Sequence, residues 1–372
     1  MKKYCFLICL ILFSTVLLSK TTFWISWEGE DWFKEKAREF QNITGEQVEI
    51  VYVASMDEKL GVTVRGTDNL PDVCLVKSDQ LVLVSEISKE TPSKLLLNKY
   101  EFDEKLRDTF IMNGKQVSFP FYADVQLMYA NRKLLEKLSI DINPEMWNLS
   151  YFVDKMKEIR DKGVIPSGWG LNSAYIFMGM QEGLGSEIID SKGEIKLVTE
   201  ENKALLEMIN NWKKDGYIHD YVQRPDMMKA FLKNRVAMVP QGSFLIQKFN
   251  SMNFQVQVLP IPAPWKTVID PKAFTFFSDN EVAVEFVSFI LDDIEEFCSK
   301  YIKYPSIKGI YETIPYFDSL KKSYENGYMQ PSETIFSTGY WPAIRTALDL
   351  FLKGELTAEE ALKKAQDFIS QK

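Results

Sequence analysis

Histidine is almost missing: one residue, His219, in a chain of 372. Metal sites built from several imidazoles are thereby excluded. Cysteine is scarce as well. The four present include no C-x-x-C pair, which excludes zinc ribbons and thioredoxin-type exchange. No nucleophile elbow, phosphate loop or dinucleotide fingerprint occurs, and Gly183-Leu184-Gly185 is too short to count as one. A basic tract is lacking too: 44 Lys and Arg stand against 52 Asp and Glu, a formal charge of −8. Such a balance disfavours nucleic acid and anionic membranes as partners. Internal repeats and low-complexity tracts are absent. What the chain does have is aromatic residues, 25 Phe, 16 Tyr and 8 Trp, within a 46% hydrophobic composition that can fill a core. This composition favours a binder over an acid–base or metal catalyst. The length suggests two domains or three.

The first residues read as a leader. Met1-Lys2-Lys3 is a cationic head, Tyr4 to Leu18 an apolar run, and Ser19-Lys20-Thr21-Thr22 its polar end. That layout is a secretory signal peptide over residues 1–19, cleaved near Ser19. The run is short for a membrane helix of ~20 residues, although a retained anchor is the other reading. Only Cys74 and Cys298 then remain in the mature chain. Cys74 lies in the apolar run Asp72-Val73-Cys74-Leu75-Val76 and reads as a small buried hydrophobe, with a Cys74–Cys298 disulfide as the alternative in an exported protein.

Past the leader the pattern is α/β. Thr22 to Trp27 reads as a buried strand, Phe33, Ala37 and Phe40 as one helix face ending at Thr44-Gly45, and Val48, Ile50 and Tyr52 as a second strand. A helix near 56–64 and a strand at Val73 to Val76 complete two βαβ units, which predicts a parallel sheet covered on both faces. Ser150 is expected to cap a helix carrying Phe152, Met156 and Ile159, closed by Gly163. Leu205, Ile209 and Trp212 mark another helix, closed near Gly216. His219 is expected in the turn beyond it. Val236 to Val239 and Phe254 to Leu259 read as strands of a second α/β unit. Pro260-Ile261-Pro262-Ala263-Pro264 reads as a stiff connection to a strand at Ala273 to Phe277 and a helix from Glu281. The end is helical, with Thr357-x-x-Glu360 as a capping box.

Three clusters carry chemistry. Ser26, Trp27 and Glu28 sit at the carboxyl end of the first strand, where open parallel sheets place ligands. Glu30 and Asp31 beside them equally suit a solvated helix start. Asp124 stands among apolar neighbours in Phe119-Pro120-Phe121-Tyr122-Ala123-Asp124-Val125-Gln126. An acid there needs a partner: a ligand, a backbone amide or a surface lysine. Tyr340 and Trp341 precede a helix with Pro342 in its first turn, so Trp341 suits stacking on a sugar face, with ordinary core as its alternative. Arg345, one turn on, could bridge a carboxylate or fix the loop.

These pieces, in their order, resemble the extracellular solute-binding proteins of bacterial sugar ABC importers, the group that includes maltose-binding protein. The residues that carry the resemblance are Phe23-Trp24-Ile25-Ser26-Trp27, Glu39 to Gly45, Leu70-Pro71-Asp72-Val73, Asn113 to Pro120, Leu127 to Asn131, Gln241-Gly242-Ser243-Phe244 and Trp341 to Ala347. The resemblance implies a type II two-lobe periplasmic-binding-protein fold with an interlobe cleft. The first lobe would hold residues 20–125 and 270–314, the second 126–269 and 315–372, with crossings near 125, 268 and 315. It assigns first-lobe polar contacts to Ser26 and Glu28 and hydroxyl contacts to Asp57, Asp79 and Gln80. It also assigns a cleft carboxylate to Asp124, a loop position to Gly242 and aromatic platforms to Tyr175, Phe244 and Trp341. Val76 stands where maltodextrin binders carry Trp, Gln80 replaces an Arg, Ser173 an acid and Phe244 a Trp. A smaller saccharide or a polyol therefore fits as well as maltose.

The function implied is a non-enzymatic, monomeric receptor, periplasmic or extracellular, that binds a carbohydrate and delivers it to the membrane permease of an ABC importer. No cofactor, metal or nucleic acid is expected. The rivals are a secreted carbohydrate-active enzyme pairing Glu28 or Asp79 with Asp124, and a binder of cationic ligands such as polyamines.

Overall fold

The computed structural model describes residues 20–66, 70–190, 193–220, 223–333 and 335–371, so the leader expected at 1–19 lies outside them. Two consecutive βαβ units open the chain, as the spacing predicts: β1 (Thr21–Ile25), helix Glu30–Thr44, β2 (Val48–Tyr52), helix Met56–Gly66 and β3 (Val73–Lys77). β1 pairs in parallel with both β2 and β3. Its side chains alternate between faces. Phe23 and Ile25 enter one core with Phe33 and Phe40, while Trp24 enters another with Met56, Leu60, Cys74 and Val76. The first helix stops where Gly45 takes φ 83°, a left-handed conformation glycine adopts without a Cβ penalty, and its N–H donates to the Gln41 carbonyl.

A hairpin of β4 (Ile111–Met112) and β5 (Lys115–Gln116) leads to β6 (Phe119–Asp124) in the same large sheet. After a single residue, Val125, the chain forms β7 (Gln126–Asn131) in a second, five-stranded sheet. β8 (Ile165–Trp169), β9 (Ile218–Asp220), β10 (Val236–Gly242) and β11 (Val256–Pro260) complete that sheet in the order β11-β7-β10-β8-β9. The chain returns through 261–267 to β12 (Val268–Phe276), which lies between β6 and β3 and runs antiparallel to both. β13 (Tyr304–Pro305) covers the outer side of β6, and β14 (Tyr328–Met329) pairs with the start of β12. The architecture is α/β with mixed sheets.

That mixture corrects the expectation of a parallel sheet. β12 enters directly from the second sheet rather than through a returning helix, so nothing forces it parallel to its neighbours. Smaller corrections have local causes. Asn148, not Ser150, caps helix Leu149–Asp161, its side chain accepting from the Tyr151 amide. His219 lies in β9, where it pairs in register with Gly168, instead of in a turn. Cys74 and Cys298 are both buried and both free, so no disulfide joins them. Burial pushes both thiols well above their ordinary value, which keeps them protonated. The capping box is present as expected: Thr357 accepts from the Glu360 amide and Glu360 returns the bond. On the far face of the second sheet Met128, Met238, Trp169 and Trp265 form a core with Phe152, Ile209 and Leu362.

Candidate functional site

A cavity of about 850 Å³ opens where the two sheets meet. Its floor is the junction itself. Asp124 at the end of β6 faces Asp270 at the start of β12, and the Gln126 amide donates to Thr267 Oγ1 at 2.6 Å. The two passages of chain between the sheets therefore lie side by side. On one side the turn after β1 brings Trp27 and Glu28 to the wall. Trp27 takes φ 67° and Gly29 φ 90°, and a Cβ on Gly29 would lie 2.7 Å from the Phe297 ring. A left-handed tryptophan costs of order 1–3 kcal/mol and persists only where its surroundings fix it. The same turn directs Ser26 inward, where its hydroxyl donates to the Val53 carbonyl at 2.7 Å. Ser26 does not line the cavity.

A chain of charges runs along the floor. Lys303, with no side-chain exposure, holds Asp124 Oδ1 at 2.6 Å and Glu28 Oε1 at 2.7 Å. Lys272, 2% exposed, holds Asp270 Oδ2 at 2.8 Å and reaches Asp124 Oδ2 at 3.4 Å. Tyr122 donates to Glu28 at 2.7 Å and Ser243 to Asp124 at 3.0 Å. Two carboxylates facing each other across a strand pair repel; Lys272 bridges them. An unpaired buried ammonium would cost several kcal/mol, so the geometry holds only as an ionised set. Burial alone would raise the Asp124 carboxyl, but Lys303 and Lys272 outweigh it and hold it below its ordinary value. Burial would likewise lower both lysines, yet their carboxylates keep them above. Partners shift in matching directions. Lys272 also stands 5.3 Å over the Trp27 ring.

Aromatic faces form the rest of the wall. Tyr175 and Trp341 lie 6.1 Å apart at 31°, and the Tyr175 hydroxyl donates to the Val268 carbonyl at 2.7 Å. Trp341 opens helix Trp341–Leu352, with Pro342 in its first turn as expected. Together with Lys77, Gln330 and Arg345 it lines a smaller cavity of about 320 Å³, which shares Ser173, Tyr175, Asp270 and Arg345 with the main one. Gly242 and Phe244 line the main cavity after β10. The Gly242 carbonyl accepts from Tyr129 at 2.9 Å, and Arg224 stacks 4.6 Å over the Phe244 ring.

The remaining expected contacts lie apart from the main cavity. Gln80 is buried and turned onto protein: it accepts from the Lys77 amide at 2.8 Å and donates to Asp57. Both Gln80 and Asp57 are occupied in holding the loop after β3. Asp79 accepts from Gln330 at 2.9 Å and from Lys77 at 3.4 Å, beside the smaller cavity's wall. Burial raises its carboxyl above the ordinary value, with Lys77 only partly offsetting that. Asp79 Oδ1, Gln126 Oε1 and Asp270 Oδ1 are buried acceptors without a hydrogen-bond partner among the described residues. Asp270 and Gln126 both line the main cavity.

Sequence reasoning missed Lys272, Lys303, Asp270 and Arg224. A lysine inside the apolar run Pro271-Lys272-Ala273-Phe274 was a visible signal for Lys272. Lys303 follows a helix end and has no such local mark. Among the described residues no group of three or more His, Cys, Asp or Glu is placed to hold a metal ion, and no helix is long and apolar enough to cross a membrane. No protein-family model matches the chain.

Proposed function

We propose that this chain is the carbohydrate-binding receptor of an ABC importer, built as two α/β lobes of the type II periplasmic-binding-protein arrangement that close on ligand between them and deliver it to a membrane permease. The observation that carries the reading is the cavity at the junction of the two sheets, lined by aromatic residues and by the polar residues Asp124, Gln126 and Asp270. Gln126 and Asp270 are polar residues of that lining, of the kind that pairs with sugar hydroxyls. Tyr175, Trp341, Trp27 and Phe244 offer surfaces for the C–H face of a pyranose. The lobe division at residues 125 and 270 follows the strands: β6 and β12 belong to the large sheet, β7 and β11 to the small one. Helix Phe317–Glu325 then packs against both β11 and β13, consistent with a third crossing near 315. Ligand touching both sheets would favour the closed arrangement by its differential affinity for it.

The rivals fare worse on the same geometry. A glycosidase needs a carboxyl that holds a proton to give away. Asp124 is instead held ionised by two lysines, one of which also ties up Glu28. Asp79, although its carboxyl is raised, lines neither cavity and is turned onto Gln330 and Lys77. A polyamine would need free carboxylates, and these are already ion-paired.

The test is a thermal-shift screen over sugars and polyols with product analysis of each mixture. A ligand at 100 times its Kd stabilises by about 2.7 kcal/mol, so binding without conversion supports the reading. Turnover of any glycan, or no shift with any carbohydrate, neutral or acidic, overturns it.

A further inference from the structure

The cavity is lined by two cations that its ion pairs leave over. Three carboxylates, Glu28, Asp124 and Asp270, meet two lysines, Lys272 and Lys303, in the network. Two further cations line the cavity, Arg224 and Arg345. Neither has an ion-pair partner among the described residues. In the lining itself Arg224, Lys272 and Arg345 equal Glu28, Asp124 and Asp270 in number, a balanced site in a chain whose overall charge is −8.

Resting on the carbohydrate reading above, we propose that the ligand is an anionic saccharide whose acidic group is bound by Arg224 and Arg345. Arg345 lies one helical turn after Trp341, on the same face of helix Trp341–Leu352. It lines both cavities where they share Tyr175 and Asp270. A ring lying on Trp341 and Tyr175 would present an exocyclic carboxylate or phosphate to that guanidinium. Arg224 is pre-organised in another way, its guanidinium laid 4.6 Å over the Phe244 ring. A planar guanidinium binds a carboxylate or phosphate through two parallel N–H donors, a geometry lysine lacks. The starts of helices Ala174–Leu184 and Arg224–Leu232 also contribute wall residues, and their positive dipole ends favour the same charge. Without an anion, two guanidiniums would face a bound sugar with no ion-pair partner among the described residues.

Calorimetry on matched sets decides the matter: each of glucose, galactose and mannose against its uronate and its 6-phosphate, at low and high salt. An acidic member is expected to bind at least roughly tenfold tighter than its neutral parent, since hydrogen bonds to charged groups carry about that much, and the margin should shrink in high salt. Uronate and phosphate arms identify which anion the site takes. Arg345→Gln and Arg224→Gln should each cost the acidic ligand more affinity than the neutral parent, and Arg345→Lys should restore part of the loss. Melting temperatures of the ligand-free variants establish that they are folded. A neutral sugar binding as tightly as its acidic forms overturns the proposal and leaves the carbohydrate reading standing. Absence of binding by every member overturns the proposal, and a shift with spermidine alone overturns both.

Discussion

Lys303 Nζ lies 2.6 Å from Asp124 Oδ1, a buried ion pair between residues 179 apart in the chain. It joins the segment after helix Ile294–Tyr301 to the point where the chain first leaves the large sheet. Lys303→Met should destabilise the protein by about 3–5 kcal/mol, because it strands Asp124 and Glu28 without their shared cation. Adding Asp124→Asn should recover part of that loss. Urea unfolding measures both, and a single-variant loss below about 1 kcal/mol would show that the pair does not exist in solution.

The two cavity-side aspartates titrate in opposite senses. Asp124 is depressed in the folded state, so its stabilisation is present above the unfolded value of about 3.9 and is lost as pH falls through the folded value. Asp124→Asn should flatten that acid limb. Asp79 is raised, so folding weakens as pH climbs from the unfolded to the folded value. Asp79→Asn should therefore gain stability on the wild type at pH 7, with the gain vanishing below about pH 4. Urea midpoints between pH 3 and 7 test both signs.

Trp341 is half-buried, tilted against Tyr175 and edge-on to Tyr340, and packs on the rim of the core rather than within it. Trp341→Ala should weaken ligand binding roughly tenfold, about 1.4 kcal/mol, while the protein stays folded. Calorimetry beside a melting curve reads the two effects separately. Unchanged affinity in a folded variant would remove Trp341 from the site.

Two glycines should respond differently to the same methyl group. On Gly242 a Cβ would lie 2.2 Å from the Phe244 ring, a side chain that can swing away. Gly242→Ala should therefore move Phe244 and Arg224 and lower affinity more than stability. On Gly179 the Cβ would lie 2.2 Å from the Lys266 carbonyl oxygen, backbone that cannot step aside. Gly179→Ala should cost about 1–3 kcal/mol of stability. Equal stability losses in the two variants would refute this distinction.

Local signals carried well and distant ones did not. The βαβ opening, the Phe33-Ala37-Phe40 helix face and the Thr357–Glu360 box are written in residues within one or two turns of each other, and the structure has all three. Trp27, Glu28, Asp124, Tyr175, Gly242, Phe244 and Arg345 come together in one cavity wall, and Trp341 joins them through the adjoining one. Ser26, Asp57 and Gln80 instead spend their polar atoms on protein. Nothing in their neighbours distinguishes a hydroxyl or amide aimed at ligand from one satisfied internally. The buried lysines were illegible for a related reason. Lys303 reads as an ordinary surface residue until Asp124 and Glu28, far away in the chain, are brought against it. Strand direction failed on the same ground, because whether β12 runs with or against β3 depends on the sheet from which it arrives.

The place of β12 also sets a timetable. It separates β6 from β3 in the large sheet, so neither of those strands has its native neighbour on that side until residues 268–276 exist. A ribosome emits the whole second sheet in the interval. During that time the apolar stretches Val73–Lys77 and Phe119–Asp124 each present an open edge to any other extended chain. The β12 strand that floors the cavity thus also closes the facing edges of β3 and β6, leaving only the outer side of β6 to wait for β13.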